Sequence, residues 1–341
     1  MVTVRCVPSE REIVEPVDLC DGRRLSPAAR GWSRQPMLRA NLVRAWGRKK
    51  RWDYWCVITP EVIASIVYAD IDYAGLASCW VLDRTDHAQA GANVLRPFAR
   101  GMHLPEQVCT GTATIDDTEL TLSIEERDDA TILRAQAPSD SGPISIDVTA
   151  AKPAGHESLN VVIPWSDRTF QFTSKQNTRP ASGTITVGNR SWAVGETDDF
   201  AVQDLGRGIW PYSNQWNWAA ASGRSTDGRL VGLQFGGKWT EGTGYTENAL
   251  CIDGRLGKIH DELDWQYRWD DPMSPWHVRG DRVDVTLTPT FDRYDITDFK
   301  LLKMEVHQCF GSWSGTIVDD DGMDMVLGGI DGFAEEARNR W

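Results

Sequence analysis

The sequence predicts an all-β protein: two antiparallel β-barrels in tandem, preceded by an extended N-terminal arm. Three observations carry this. Apolar and polar residues alternate over short runs, the period of a half-buried strand. Gly, Pro and Asp-Gly breaks separate the runs as hairpin turns do, and the helix-strand alternation of a parallel sheet is absent. The second half also repeats the first in outline, because Trp52-Asp53-Tyr54-Trp55 and Trp216-Asn217-Trp218 each open a strand, a turn and another strand. Closure into barrels leaves so many strands without exposed edges.

Taken in order, residues 1–51 are rich in Pro, Arg and Gly, with turn signals at Asp21-Gly22 and Ser26-Pro27. They read as an arm wrapping the first barrel. That barrel is expected over 52–175. Strands are predicted at 53–59, 62–69 and 71–83, and a non-periodic stretch at 84–105 reads as a loop over the barrel mouth. Further strands are predicted at 108–115, 118–125, 131–137, 144–149, 159–165 and 169–173. In the second of these, Leu120, Leu122 and Ile124 alternate with Thr121, Ser123 and Glu125. Residues 178–183 read as a crossover and 184–187 as a strand. The second barrel, 176–341, carries strands at 229–235, 249–252, 265–269, 283–289, 301–310 and 312–318. Asp319-Asp320-Asp321-Gly322 is an acidic turn without calcium-loop spacing. Residues 335–341 read as a short helical tail.

Of the 341 residues, 36 are Lys or Arg and 49 Asp or Glu, for a net charge of -13. This balance argues against a nucleic-acid partner, which needs basic residues to neutralise phosphates. The basic run Arg48-Lys49-Lys50-Arg51 is short and reads as the lip of a strand. No uncharged apolar stretch reaches about 18 residues, so no membrane-spanning helix is expected. The 7 cysteines are scattered without Cys-x-x-Cys spacing, which suggests reduced thiols and a cytoplasmic protein. None of the 6 histidines falls at a metal-ligand spacing, and no phosphate loop or Gly-x-Ser-x-Gly elbow is present. No cofactor and no metal is therefore expected.

The 16 tryptophans point to an aromatic-lined interior. Residues 204–218 concentrate them beside polar groups: Asp204, Arg207, Tyr212, Asn214 and Asn217 lie among Trp210, Trp216 and Trp218. Gly206 and Gly208 suggest backbone conformations closed to other residues. Either an aromatic pocket with a polar edge or a purely structural barrel corner fits this stretch. Acid-initiated addition to an alkene needs a carboxylic acid kept protonated in an apolar site, with aromatic faces for the developing cation. Asp204 is the first candidate acid, and Glu247 and Asp72 are the alternatives. If Arg207 pairs with Asp204, the acid's pKa falls and Asp204 becomes structural, the outcome favoured for that residue. Ligand contacts are expected from Arg207, Trp210, Tyr212, Asn214, Trp216, Asn217 and Trp218, from Trp52 and Tyr54, and from the strand residue His307.

Gly31-Trp32-Ser33, the run from Gly47 to Trp55, Asp72-Tyr73, the 204–218 stretch and the end from Phe310 together resemble an uncharacterised bacterial family, a domain of unknown function. That family is distantly similar to tandem lipocalin-like proteins: the carotenoid hydratases of the hydroxyneurosporene synthase type, tocopherol cyclase and the AttH-like proteins. The resemblance implies two lipocalin-like, calycin-type barrels and a hydrophobic small-molecule ligand, isoprenoid-like or polyketide-like. It implies cofactor-independent hydration, isomerisation or cyclisation, the work of a lyase or an isomerase. The alternatives are a non-catalytic lipid carrier and a carbohydrate-binding or carbohydrate-acting protein. Oligomeric state is not legible in the sequence.

Overall fold

The structure is a computed structural model and describes residues 10–43, 45–298 and 303–340. Its two large sheets are built from antiparallel strands, and among the described residues the one helical element is the 3-10 turn Pro27–Ala29. The first sheet contains β1 (Lys49–Ile58), β2 (Val62–Asp70), β3 (Ala74–Asp83), β4 (Gln89–Pro97), β5 (Thr112–Asp116), β6 (Thr121–Glu126), β7 (Ala130–Ala137), β8 (Ile144–Ala151), β9 (Leu159–Ile163), β10 (Phe170–Val187), β11 (Arg190–Val194) and β12 (Phe200–Ile209). Its order is β5-β6-β7-β8-β10-β12-β1-β2-β3-β4, with β9 and β11 added along the long β10. The second contains β13 (Ser213–Arg224), β14 (Leu230–Gly237), β15 (Asn248–Ile252), β16 (Arg255–Ile259), β17 (Asp264–Gln266), β18 (Trp276–Gly280), β19 (Val283–Asp298), β20 (Lys303–Val318) and β21 (Asp324–Arg340). Its order is β16-β15-β14-β13-β21-β20-β19-β18-β17.

Each sheet curls into a half-barrel around its own apolar core. In the first, Ala90 and Val94 of β4 share a core with Leu122 and Ile124 of β6, from opposite ends of the strand order. In the second, Ile252 and Ile259 meet Trp276 and Val278 in the same way. Alternate residues of these strands point inward, so the remaining faces are free to pack sheet on sheet. Cys56, Val202, Trp218, Phe310 and Phe333 form the apolar part of that junction.

Five expectations are corrected. The helical tail is strand: β21 runs to Arg340 because 331–340 is hydrogen-bonded between β13 and β20, and both of its faces are covered. Trp341 lies outside the described residues. Gln89–Pro97 within the expected loop is β4, paired with β3 through small alternating side chains that give little hydrophobic signal. The crossover at 178–183 and the boundary at 175 both fall inside β10, which is continuous with one register shift between Gln176 and Arg179. The change of sheet comes between Ile209 and Ser213. Finally, the arm reaches both sheets. Leu19 and Leu38 pack on Phe170 and Phe172, while Glu10 accepts from the Lys258 ammonium at 2.8 Å and Arg34 donates to the Leu256 carbonyl.

Candidate functional site

Both sheets contribute polar groups to their junction. Along β12 side chains alternate, which aims Asp204 at the second sheet. Lys175 of β10 lies opposite Asp204 in the ladder. Its ammonium is 2.9 Å from Asp204 Oδ1 and 3.3 Å from Glu247 Oε1. Thr173 Oγ1 donates to Asp204 Oδ1 at 3.2 Å, and Trp52 Nε1 donates to Oδ2 at 3.1 Å. Glu247 lies directly before β15 and crosses Gly236, where any Cβ would overlap its side chain. From β21, Glu335 accepts from Trp216 Nε1 at 2.8 Å and from Gln308 Nε2 at 3.1 Å. Gln308 in turn meets the Tyr54 hydroxyl at 3.2 Å. The Lys175 ammonium stands 4.1 Å from the Trp218 ring centre.

One ammonium therefore faces three carboxyls, all at least nine-tenths buried. Burial disfavours the charged form of an acid, and an unshared cation opposes it. Burial pushes Glu247 up to about 7 despite Lys175, with Asp204 adding to the rise. Burial likewise pushes Glu335 up to about 7 against the Trp216 hydrogen bond and Lys175. For Lys175, burial opposes the charge, yet Asp204 and Glu247 outweigh it and its pKa is raised. The arrangement is a committed Lys175-Asp204 ion pair beside two carboxyls that hold protons near neutrality.

A tryptophan cluster adjoins these groups. Trp210 is its centre, with ring centroids 5.6 Å from Trp52, 5.0 Å from Trp165, 5.7 Å from Trp216 and 5.9 Å from Trp239. Its Nε1 donates to Gln171 Oε1 at 2.7 Å. On the other side, Trp218 packs edge-on to Phe333 at 4.7 Å, and Phe333 meets Phe310 at 5.5 Å. Phe310 lines a cavity of about 470 Å³ with Ile63, Leu82 and Phe291. An aromatic strip thus joins the carboxyls to open space at the junction of the sheets.

The structure brings together Asp204, Glu247, Trp52, Tyr54, Trp216 and Trp218, with Trp210 one ring further out. It separates the others. Arg207 points to the opposite face of β12 from Asp204, so the expected pair does not form. Its guanidinium instead bonds Asp53 Oδ1 at 2.7 Å and the Trp52 carbonyl at 2.6 Å. Asp72 sits in a turn, where it accepts from the Gly47 amide at 2.7 Å and pairs with the Lys49 ammonium at 3.0 Å. Tyr212 is 42% exposed and stacks with Arg48. Asn217 faces the interior of the second half-barrel and donates to the Tyr267 hydroxyl at 2.9 Å. His307 faces the same way, 2.7 Å from Asp292 Oδ2 and packed on Trp269 and Tyr294. Asn214 lies on the junction face, opposite Asn339 of β21. Gly206 and Gly208 serve close packing rather than special dihedrals. Neither has positive φ, and a Cβ on Gly206 would overlap the Trp52 ring.

Lys175, Glu335, Gln308, Trp165 and Trp239 were not singled out by the sequence. Lys175 lies in the polar run Thr173-Ser174-Lys175-Gln176, which reads as a break unless both strand faces are buried. For Glu335, the available signal was the spacing Phe333, Glu335, Ala337, a strand period beneath a helix-like composition.

Comparison with known proteins agrees with this fold. The family described as Domain of unknown function (DUF2804) matches residues 10–341. The sequence matches no functionally curated protein. Among solved structures, an AttH-type protein from Nitrosomonas europaea is similar at 11% identity and TM-score 0.52, covering 85% of this chain and 92% of that one. Kievitone hydratase from Nectria haematococca follows at 10% identity and TM-score 0.44, covering 86% and 88%. CghA has 7% identity and TM-score 0.42, covering 97% of each chain. At these identities the AttH-type likeness establishes the tandem lipocalin-like fold, and the two weaker likenesses carry no further argument.

Proposed function

The chain belongs to the DUF2804 family, a domain of unknown function, and from the geometry of the junction we propose that it binds a hydrophobic small molecule and protonates it there. The ligand class is isoprenoid-like or polyketide-like. The observation that carries the reading is the pair of carboxyls, Glu247 and Glu335, raised to about 7 beside tryptophan faces. Lys175 neutralises Asp204, so the remaining acids keep protons that an apolar substrate can accept.

In this reaction the Glu247 O–H proton passes to an alkene carbon, leaving a carboxylate and a carbocation. Trp218, whose ring already faces the Lys175 ammonium, and the adjoining Tyr54 are the aromatic groups assigned to the developing positive charge. Water then adds to the cation and returns a proton to the carboxylate, giving hydration. Loss of a different C–H proton to the carboxylate gives isomerisation, and attack by a second alkene closes a ring and moves the charge to a new carbon, which then loses a proton to the carboxylate. Asp204 and Lys175 position the acid and set its charge. A carrier without chemistry is the second reading, favoured by the near-complete burial of Glu247, which is 1% exposed. The Trp210 cluster is a packed core cluster, which argues against an exposed carbohydrate platform.

The test is native mass spectrometry after incubation with a lipid extract, followed by turnover of the captured compound. Glu247→Gln should keep the bound mass and lose turnover by about 100-fold or more. An unchanged turnover in Glu247→Gln removes the acid role. No captured apolar mass removes the ligand class.

A further inference from the structure

On the junction face of the second sheet, β21 presents Phe333, Glu335, Ala337 and Asn339 in turn, because alternate residues share a face. Cross-strand partners complete each rung: Ala220 and Phe310 beside Phe333, Trp218 and Gln308 beside Glu335, Trp216 and Val306 beside Ala337, Asn214 and Met304 beside Asn339. The face therefore runs from an aromatic end, through the carboxyl, to a pair of asparagines. Four residues of strand separate Asn339 from Glu335, about 13 Å.

The asparagine rung is unusual in what it leaves unspent. Asn339 is 4% exposed, yet among the described residues neither its Oδ1 nor its Nδ2 has a hydrogen-bond partner, and the buried Asn214 Nδ2 also lacks one. Asparagines facing one another across an antiparallel rung can bond each other, and these do not. A buried carboxamide left unpaired costs about 1–3 kcal/mol. Two donors and one acceptor converge there, a set that matches a hydroxyl, which accepts from N–H groups and donates to a carbonyl.

We propose that Asn214 and Asn339 form a specificity subsite for a hydroxyl or carbonyl oxygen at one end of an elongated apolar ligand whose reacting carbon lies at Glu335 and Glu247. This rests on the reading of the junction as a hydrophobic-ligand site and narrows it. The substrate is a linear amphiphile with its oxygen about 13 Å from the part of the chain that lies at Glu335, not a bare hydrocarbon. The two asparagines are specificity residues; the acids remain the reacting groups. Sites that hydrogen-bond a ligand hydroxyl discriminate strongly against the analogue lacking it, because their own polar groups are then left unpaired.

The probes are farnesol and farnesene, which share one isoprenoid skeleton; farnesene lacks the terminal hydroxyl and has one more C=C bond in its place. Binding is read by quenching of tryptophan fluorescence in the wild type, Asn339→Leu and Asn214→Ala. The wild type should bind farnesol at least about tenfold more tightly than farnesene. Either substitution should erase that preference by weakening farnesol alone. Equal binding of the two probes by the wild type, or a preference that survives both substitutions, overturns the subsite and leaves the hydrophobic site standing. Failure of both probes to bind overturns the hydrophobic-ligand reading itself, and the subsite falls with it. Asn214→Ala, at a half-buried position, keeps the test decisive if Asn339→Leu does not fold.

Discussion

Replacing Glu335 by Gln should make the protein more stable at alkaline pH, although it removes a side chain with two hydrogen bonds. The folded pKa of Glu335 is about 7, against 4.5 for the free side chain. Below pH 4.5 the group is protonated in both states and contributes fully. Between 4.5 and about 7 the folded state holds a proton that the unfolded state has released, so stability falls as pH rises; above that range it is level. The span is about 2.5 pH units, which at about 1.36 kcal/mol per unit is ~3 kcal/mol. Gln carries no such charge, so Glu335→Gln does not lose this contribution. Its amide meets two donors, Trp216 Nε1 and Gln308 Nε2, and the mismatch costs about 1 kcal/mol at every pH. The diagnostic quantity is therefore the change in the difference between the two proteins. Urea unfolding at pH 4.5, 5.5, 6.5, 7.5 and 8.5 should show the variant gaining on the wild type by about 3 kcal/mol across the series. Parallel stability curves would refute the reasoning, because they would mean Glu335 ionises alike in both states.

Two further substitutions probe the same junction. Lys175→Met leaves Asp204 without its cation and should cost about 3–5 kcal/mol at pH 8, with the loss shrinking toward pH 5 as the carboxyls take up protons; urea unfolding at both pH values checks it. Gly206→Ala places a methyl group against the Trp52 ring and should cost about 1–3 kcal/mol through overpacking, read as a lowered Tm at any pH.

Much of the fold was legible because a strand with one face in a core writes its period into the sequence. Strand 62–69 differs from the observed Val62–Asp70 by one residue, and Leu120, Leu122 and Ile124 do face the first core. What escaped were strands covered on both faces. Ala334-Glu335-Glu336-Ala337 has the composition of a helix, and only the ladders from β13 and β20 hold it extended. Lys175 was hidden for the same reason, in a polar run that looks like a break and is buried by the second sheet. Asp204 stood out as an acid near tryptophans and Glu247 was an alternative acid, but their shared cation comes from a different strand. Reading Arg207 as the partner of Asp204 overlooked strand parity, since three residues along a strand reverses the face. The asparagine rung pairs positions 125 residues apart, a proximity that depends on register between strands far apart in the chain.

The most direct test is an isotope-edited infrared titration of the carboxyl groups from pH 5 to 9, comparing the wild type with Glu247→Gln and Glu335→Gln. The account predicts a protonated-carboxyl band that persists at pH 6, disappears with a midpoint of about 7 and loses intensity in each variant. A spectrum in which every carboxyl is ionised by pH 5.5 would contradict it, leaving the junction as a structural brace with no proton to give.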